Sequence, residues 1–302
     1  MKRHTTFVAA LALLLAAQAC GNTPRQFNPL PAALGDIRGV ALGFDGLLPL
    51  NDAEGRYALW VTLDNREIVG LGPFNVNAEG RPINANGELI QRFTADVNLF
   101  NSVSVLITIE PGGIPGDNPG GGYILQGPVI DGIAQLSVPA PLLIGESAGS
   151  YRVFTPTDGP DTNEGSGVWA VSADDEPTLS LPPLNNVYAY EHYMVINGTP
   201  LTMGRFTNPN VADFANPYSG PEPAPDFPGE DFLENPPEGV QFPADLSGAH
   251  LLVTLEPIFN DTADPSQLVV LEAIMPAGLQ GGEIVFLTNR TADFPTGTAA
   301  IF

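Results

Sequence analysis

Cysteine, lysine and histidine are nearly missing from this sequence of 302 residues: it has one cysteine, Cys20, three histidines, and no lysine beyond Lys2. A single thiol closes no internal disulfide, and with so few histidines it builds no zinc or haem site. Beyond His4, the histidines are His192 and His250, far apart in strand-like segments, where each reads as a partly exposed sheet residue. The shortage of basic residues excludes nucleic acid as a partner, because phosphate is gripped by clustered Lys and Arg. Nor does the chain contain the run of ~20 apolar residues that spans a bilayer. No amphipathic helical pattern follows residue 20.

What the N-terminus does contain is a secretory signal. Lys2 and Arg3 supply its positive charge, residues 7–17 its apolar stretch, and Ala17-Gln18-Ala19 small residues before a cut. Cys20 follows that stretch directly. The expected reading is a lipoprotein signal at 1–19, with lipid on Cys20 as the membrane anchor and residues 20–34 as a Pro- and Asn-rich tether. Acyl chains contribute ~0.8 kcal/mol per buried CH₂, enough for stable anchoring when several are present. The alternatives are a plain secreted form cut after Ala-x-Ala, or a buried core thiol. Ala17 stands where the lipobox has Leu, and Gln18 where it has a small residue. Gly21 after the cysteine, rather than Asp, resembles outer-membrane sorting, so the expected location is extracytoplasmic, lipid-anchored and outer-membrane.

The cut removes Lys2 and Arg3 and leaves nine arginines against 34 Asp and Glu. Such an acidic, lysine-free surface fits plain solubility, a high-salt habitat, or divalent-cation binding. With 43% hydrophobic and only 15% charged residues, the chain has the material for a packed core.

Short β-branched runs, such as 57–63 (YALWVTL), 103–109 (VSVLITI) and 283–288 (EIVFLT), alternate with Gly/Pro turns. This pattern predicts an antiparallel all-β fold. Internal repetition refines it. Residues 105–111 (VLITIEP) match 251–257 (LLVTLEP) at an offset of 146, and 123–125 match 269–271 at the same offset. Upstream, an offset of 134 lays Pro49-Leu-Asn51 over Pro183-Leu-Asn185, and Leu59-Trp-Val61 over Tyr193-Met-Val195; Phe74 and Phe206 follow in each copy. The expected architecture is two tandem immunoglobulin-like antiparallel β-sandwich modules, 35–146 and 147–302. Val103, Val105, Ile107 and Ile109 should face a core. The second copy carries the longer crossover, 207–247, which is acidic.

The tyrosine-rich strand leading into 195–206 (VINGTPLTMGRF), together with the VTLEP hairpin, resembles the extracytoplasmic C-terminal domain of anti-sigma-K factors, a β-sandwich family of bacterial envelopes. The likeness covers ~150 residues in the second copy and roughly 90 more weakly in the first. It implies a β-sandwich fold and an interaction or ligand-sensing role outside the cytoplasm. A true anti-sigma factor of this kind has a sigma-binding segment and a membrane helix before this domain, and here a lipoprotein signal stands in their place.

Chemistry is sparse. Gly145-Glu-Ser147-Ala-Gly149 fits the G-x-S-x-G nucleophile elbow, which would make the chain a serine hydrolase. An elbow needs a helix after the serine, whereas residues 151–155 (YRVFT) read as a strand, so Ser147 reads as a linker serine. The crossover gathers Asp213, Asp226, Glu230, Asp231 and Glu234, a candidate calcium or ligand loop, and 158–164 holds a second acidic group. The bland alternative is solvated acidic loops. Paired carboxylates could also serve a glycosidase, but no deep-cleft signature accompanies them. Tyr218, Phe227 and Phe232 either stack on a sugar or peptide or pin the long loop to the sandwich.

The expected function is therefore a non-catalytic cell-envelope lipoprotein, an interaction or scaffold module without an organic cofactor. Its partners are the membrane through Cys20 and an envelope protein or polysaccharide. Ligand sensing is the alternative, and hydrolysis at Ser147 a remote one. Cys20→Ser is expected to move the protein from the membrane to the soluble fraction; retention on membranes after a salt wash would contradict the anchor.

Overall fold

The computed structural model describes residues 36–302 apart from 111, 113–115, 121, 185 and 259–262. The signal, Cys20 and the tether lie outside the described residues. Eighteen strands follow in chain order. The first eight are β1 (Gly39–Asp45), β2 (Arg56–Leu63), β3 (Ile68–Val76), β4 (Pro82–Ile83), β5 (Phe93–Thr94), β6 (Ser102–Glu110), β7 (Gly122–Ile130) and β8 (Ile133–Ser137). Next come β9 (Ser150–Val153), β10 (Val168–Trp169), β11 (Tyr188–Ile196), β12 (Thr199–Phe206) and β13 (Gly229–Glu230). The last are β14 (His250–Pro257), β15 (Val269–Ile274), β16 (Ile284–Phe286), β17 (Thr288–Asn289) and β18 (Thr296–Ile301). The strand pairs are antiparallel, and the only helical pieces among the described elements are three-residue 3-10 turns, so the fold is all-β.

Nine strands form the first sheet, in the order β4-β3-β2-β6-β7-β8-β18-β1-β5. Its core face follows the two-residue period: Tyr57, Leu59 and Val61 of β2 are buried beside Val105, Ile107 and Ile109 of β6. Val103 departs from the expected core: it is 44% exposed, the unpaired residue of a bulge where Ser104 faces Thr62 and Ser102 faces Leu63, which breaks the alternation. The segment after β4 runs from one edge of this sheet to the other. Leu89 bridges Ile83 and the Ile90 amide donates to Pro82 O (2.9 Å), after which Phe93–Thr94 pairs with β1. Phe74 of β3 packs on Tyr57 (5.5 Å between ring centres), Phe93 (5.5 Å) and Phe44 of β1 (5.8 Å).

A four-stranded sheet, β13-β10-β9-β16, and a five-stranded sheet, β12-β11-β14-β15-β17, make up the rest. The repeat is visible in their hydrogen bonds. The order β12-β11-β14-β15 matches β3-β2-β6-β7, and the bulges fall in matching places. One lies between Leu59 and Trp60 and its counterpart between His192 and Tyr193; a second pair lies at Ile107/Thr108 and Val253/Thr254. Gly72 (φ +109) and Gly204 (φ +122) sit across from the first pair, where only glycine takes such angles easily.

Register corrects one alignment. Tyr57 faces Ile109 and Tyr190 faces Leu255, while Ile109 and Leu255 stand 146 apart. Tyr57 therefore corresponds to Tyr190, an offset of 133 rather than 134. A slip of one residue exchanges the two faces of a strand, so the counterpart of Tyr193 is Trp60, not Leu59.

The strand β18 does not stay with the second copy. It lies between β8 and β1, pairing Val40–Asp45 with Ile301–Thr296 on one side and Ile133–Ser137 with Ala300–Thr296 on the other. The copies also touch directly: Tyr188 donates to Tyr123 O (2.7 Å), and Gln267 donates to the Tyr57 hydroxyl (2.8 Å). A chain ending at Pro295 takes one of the two neighbours from each of β1 and β8, leaving β1 only β5 and β8 only β7. It is expected to lose the cooperative thermal transition of the first sheet, followed by circular dichroism; an unchanged melting midpoint would contradict this role.

Candidate functional site

The crossover 207–247 is ordered, and its acidic residues are divided rather than gathered. Along β11 the alternation turns Tyr190, His192 and Met194 to one face and Glu191 and Tyr193 to the other. His192, expected to be partly exposed, is fully buried, because β9 of the four-stranded sheet lies over that face. The Tyr151 hydroxyl of β9 meets its Nδ1 at 3.0 Å, and Asp213 Oδ2 of the crossover meets its Nε2 at 2.9 Å. Asp213 Oδ2 accepts the hydrogen bond that Nε2–H donates, which leaves Nδ1 to accept from the Tyr151 hydroxyl. Burial, then the Asp213 charge, pushes the Tyr151 pKa well above its ordinary value, so it stays a neutral hydroxyl. Asp213 Oδ2 also accepts the Gly229 amide (3.0 Å), and Asn216, with its amide nitrogen turned inward, donates to Oδ1 (2.9 Å). A Cβ on Gly204 would stand 2.9 Å from Asp213 Cγ and 2.8 Å from Ala215 O, so that glycine is what admits the crossover to β12.

Farther along, Glu230 and Asp231 are completely buried. Asp231 accepts from the Trp169 indole (2.6 Å), the Thr157 amide (2.8 Å) and the Thr157 hydroxyl (2.5 Å). Glu230 accepts from the Ser219 hydroxyl (2.5 Å), the Asp231 amide (2.9 Å) and the Tyr218 amide (3.1 Å). Burial pushes the Glu230 carboxyl up to about 7 against the pull of those donors, and it raises Asp231 as well. Tyr218, Phe232 and Phe242 pack on one another at 5.5–5.9 Å and give the segment a small core of its own. Asp226 and Glu234 are exposed, and Phe227 is half-buried.

Of the five acidic residues singled out, Asp213, Glu230 and Asp231 thus serve three separate sets of donors. Among the described residues, no three His, Asp or Glu side chains are grouped to hold a metal ion. In the second acidic group, Asn163 donates to Asp158 (2.7 Å), and Glu164 accepts the Asp161 amide (3.0 Å), closing that loop on itself.

One latch occurs in both copies and was missed in the sequence, although the shared Thr-x-Glu-Pro could have signalled it. Thr108 donates to Glu110 (2.5 Å), whose same oxygen accepts the Gly120 amide (2.9 Å). Thr254 donates to Glu256 (2.6 Å), which accepts the Ser266 amide (2.8 Å). Each glutamate ties its hairpin loop to the strand before it. Burial pushes Glu256 up to about 7. In the first copy the Trp60 indole donates to Thr108 (2.8 Å); its counterpart Tyr193 instead turns a hydroxyl toward Glu191 and Glu256.

Ser147 is 4% exposed, and among the described residues its hydroxyl has no hydrogen-bond partner. It follows a 3-10 turn, Ile144–Glu146, in extended conformation (φ −57°, ψ 135°) and leads into β9 rather than a helix. His192 is held as described, and His250 is paired with Glu272 (2.9 Å). Two surface clefts stand out among the described residues. One of about 830 Å³ is lined by Arg152, Phe154, Pro160, Glu164, Glu222 and Pro223, with the Arg152 guanidinium 4.6 Å above the Phe154 ring. The other, about 740 Å³, lies between Leu42 and Phe44 of β1 and the hairpin carrying Arg81, Leu89 and Ile90.

Asp213→Ala strips His192, Gly229 and Asn216 of their acceptor and is expected to cost on the order of 3 kcal/mol of stability in urea unfolding. Asp226→Ala, at an exposed position, should leave the midpoint unchanged. Equal effects of the two would contradict this division.

Comparison with protein-family models, with curated proteins and with solved structures found no match.

Proposed function

We propose that this chain is a non-catalytic cell-envelope lipoprotein, tethered through lipid on Cys20, that acts as an interaction or scaffold module on the outer membrane. The observation that carries this reading is the engagement of its buried polar groups in holding loops. Both ring nitrogens of His192 are occupied, Glu230 and Asp231 each receive three donors, and Glu110 and Glu256 each fasten a hairpin. General acid–base work needs such a group within reach of a reacting proton, and these groups face protein instead. Among the described residues, no base stands at hydrogen-bonding distance from Ser147. The two clefts are open surface features with mixed apolar and polar linings, suited to recognition of a partner's surface or an extended chain.

Purified protein is accordingly expected not to hydrolyse p-nitrophenyl butyrate or p-nitrophenyl glycosides; turnover abolished by Ser147→Ala would overturn the proposal. A photo-crosslinking amino acid placed at Pro223, in the larger cleft, should yield a discrete adduct in intact cells. The same group at Asn65, on the β2–β3 turn, should not.

A further inference from the structure

We infer that the crossover 207–247 is a proton-linked strap: it closes over the second copy with net uptake of protons and grips harder in mild acid than at neutral pH. The geometry is that of carboxyls fastened under cover by neutral donors. Closure takes Asp213, Glu230 and Asp231 out of water together. Among the described residues, no lysine or arginine pairs with any of them, and the single base that faces the group is His192, at Asp213. Asp213 is also faced by Tyr151 and Asn216. Asp231 is faced by Thr157 and Trp169, and by the negative charge of Asp158, which adds to the cost of ionising it. Glu230 is faced by Ser219 and Tyr218, and by the charge of Asp231 beside it. Glu230 and Asp231 lie buried without a countercharge, which makes their ionised forms costly, and taking up a proton relieves that cost.

The direction follows from linkage. With the strap lifted, the carboxyl of Glu230 is in water and titrates at its ordinary value of 4.5; with the strap closed it is pushed up to about 7. Between those two points the closed form holds a proton that the lifted form has lost. Raising the pH across that window weakens closure by about tenfold per pH unit for each proton taken up, and the effect levels off above it. Glu256, in the body of the second copy, titrates in the same range but fastens the β14–β15 loop rather than the strap.

Hydrogen exchange with mass detection on the full chain, from pH 4.5 to 8 and corrected for the intrinsic rate, tests this. Protection of residues 213–234 should fall about tenfold per pH unit between 5 and 7 and then level off, while β2 and β6 in the first copy stay constant. Glu230→Gln should flatten the slope and Glu256→Gln should leave it. Ser219→Ala, which removes a donor that favours the ionised form, should carry the fall to higher pH. Strap protection independent of pH, loss by one common factor along the whole chain, or a full slope in Glu230→Gln overturns the inference. The wild-type profile decides by itself if the glutamine variant does not fold.

Discussion

The contact between His192 and Asp213 joins three parts of the second copy that no continuous ladder unites. His192 belongs to the five-stranded sheet, its Nδ1 partner Tyr151 to the four-stranded sheet, and Asp213 to the crossover between β12 and β13. All three side chains are closed off from solvent. In such surroundings a hydrogen bond to a charged group is strong, and a missing one leaves an orphan whose desolvation nothing offsets. The layers and the loop above them are thereby set relative to one another through a single imidazole. Phe206 reinforces it edge-on, with ring centres 5.4 Å apart.

The two copies show how one scaffold is used for different ends. Both keep the four-strand core, the bulges and the Thr-x-Glu latch. They part at the face turned away from the alternating aliphatic core. There the first copy has Ala58 and Trp60, while the second has Glu191 and Tyr193, with Arg205 and Thr202 closing on Glu191. An apolar pair in one copy thus stands where the other buries an ion pair. Such an exchange adds little net stability, because desolvation offsets much of the attraction, yet it fixes geometry tightly.

Much of the fold was legible in the sequence because it is local. Alternating β-branched runs, glycine-rich turns and the repeated VTLEP-type hairpins named the strands and their duplication. What escaped notice depends on distance. The pairing of β18 with β1 leaves no mark in either segment, since each is merely a short strand in need of neighbours. The offset of β11 from β2 is fixed by which residue of β6 or β14 each tyrosine faces, and nothing in a string of letters distinguishes 133 from 134. Asp213, Glu230 and Asp231 were singled out as a group because they crowd into one long acidic crossover. Whether carboxylates meet a metal or meet amides is settled by backbone direction, which Gly204 and Gly229 control here. His192 was misjudged because strand alternation says which face a residue takes, not whether a second sheet covers that face.

The placement of β18 bears on the order in which the molecule assembles. Ile301 pairs with Val40, so a chain delivered N-terminus first exposes β1 long before its partner arrives. Until residues 296–301 appear, β8 and β1 present unpaired edges, the kind of surface that invites contact with other chains. Pairing across so much sequence is entropically slow, which lengthens that interval. A holding chaperone that shields open strand edges during delivery would meet the need this topology creates.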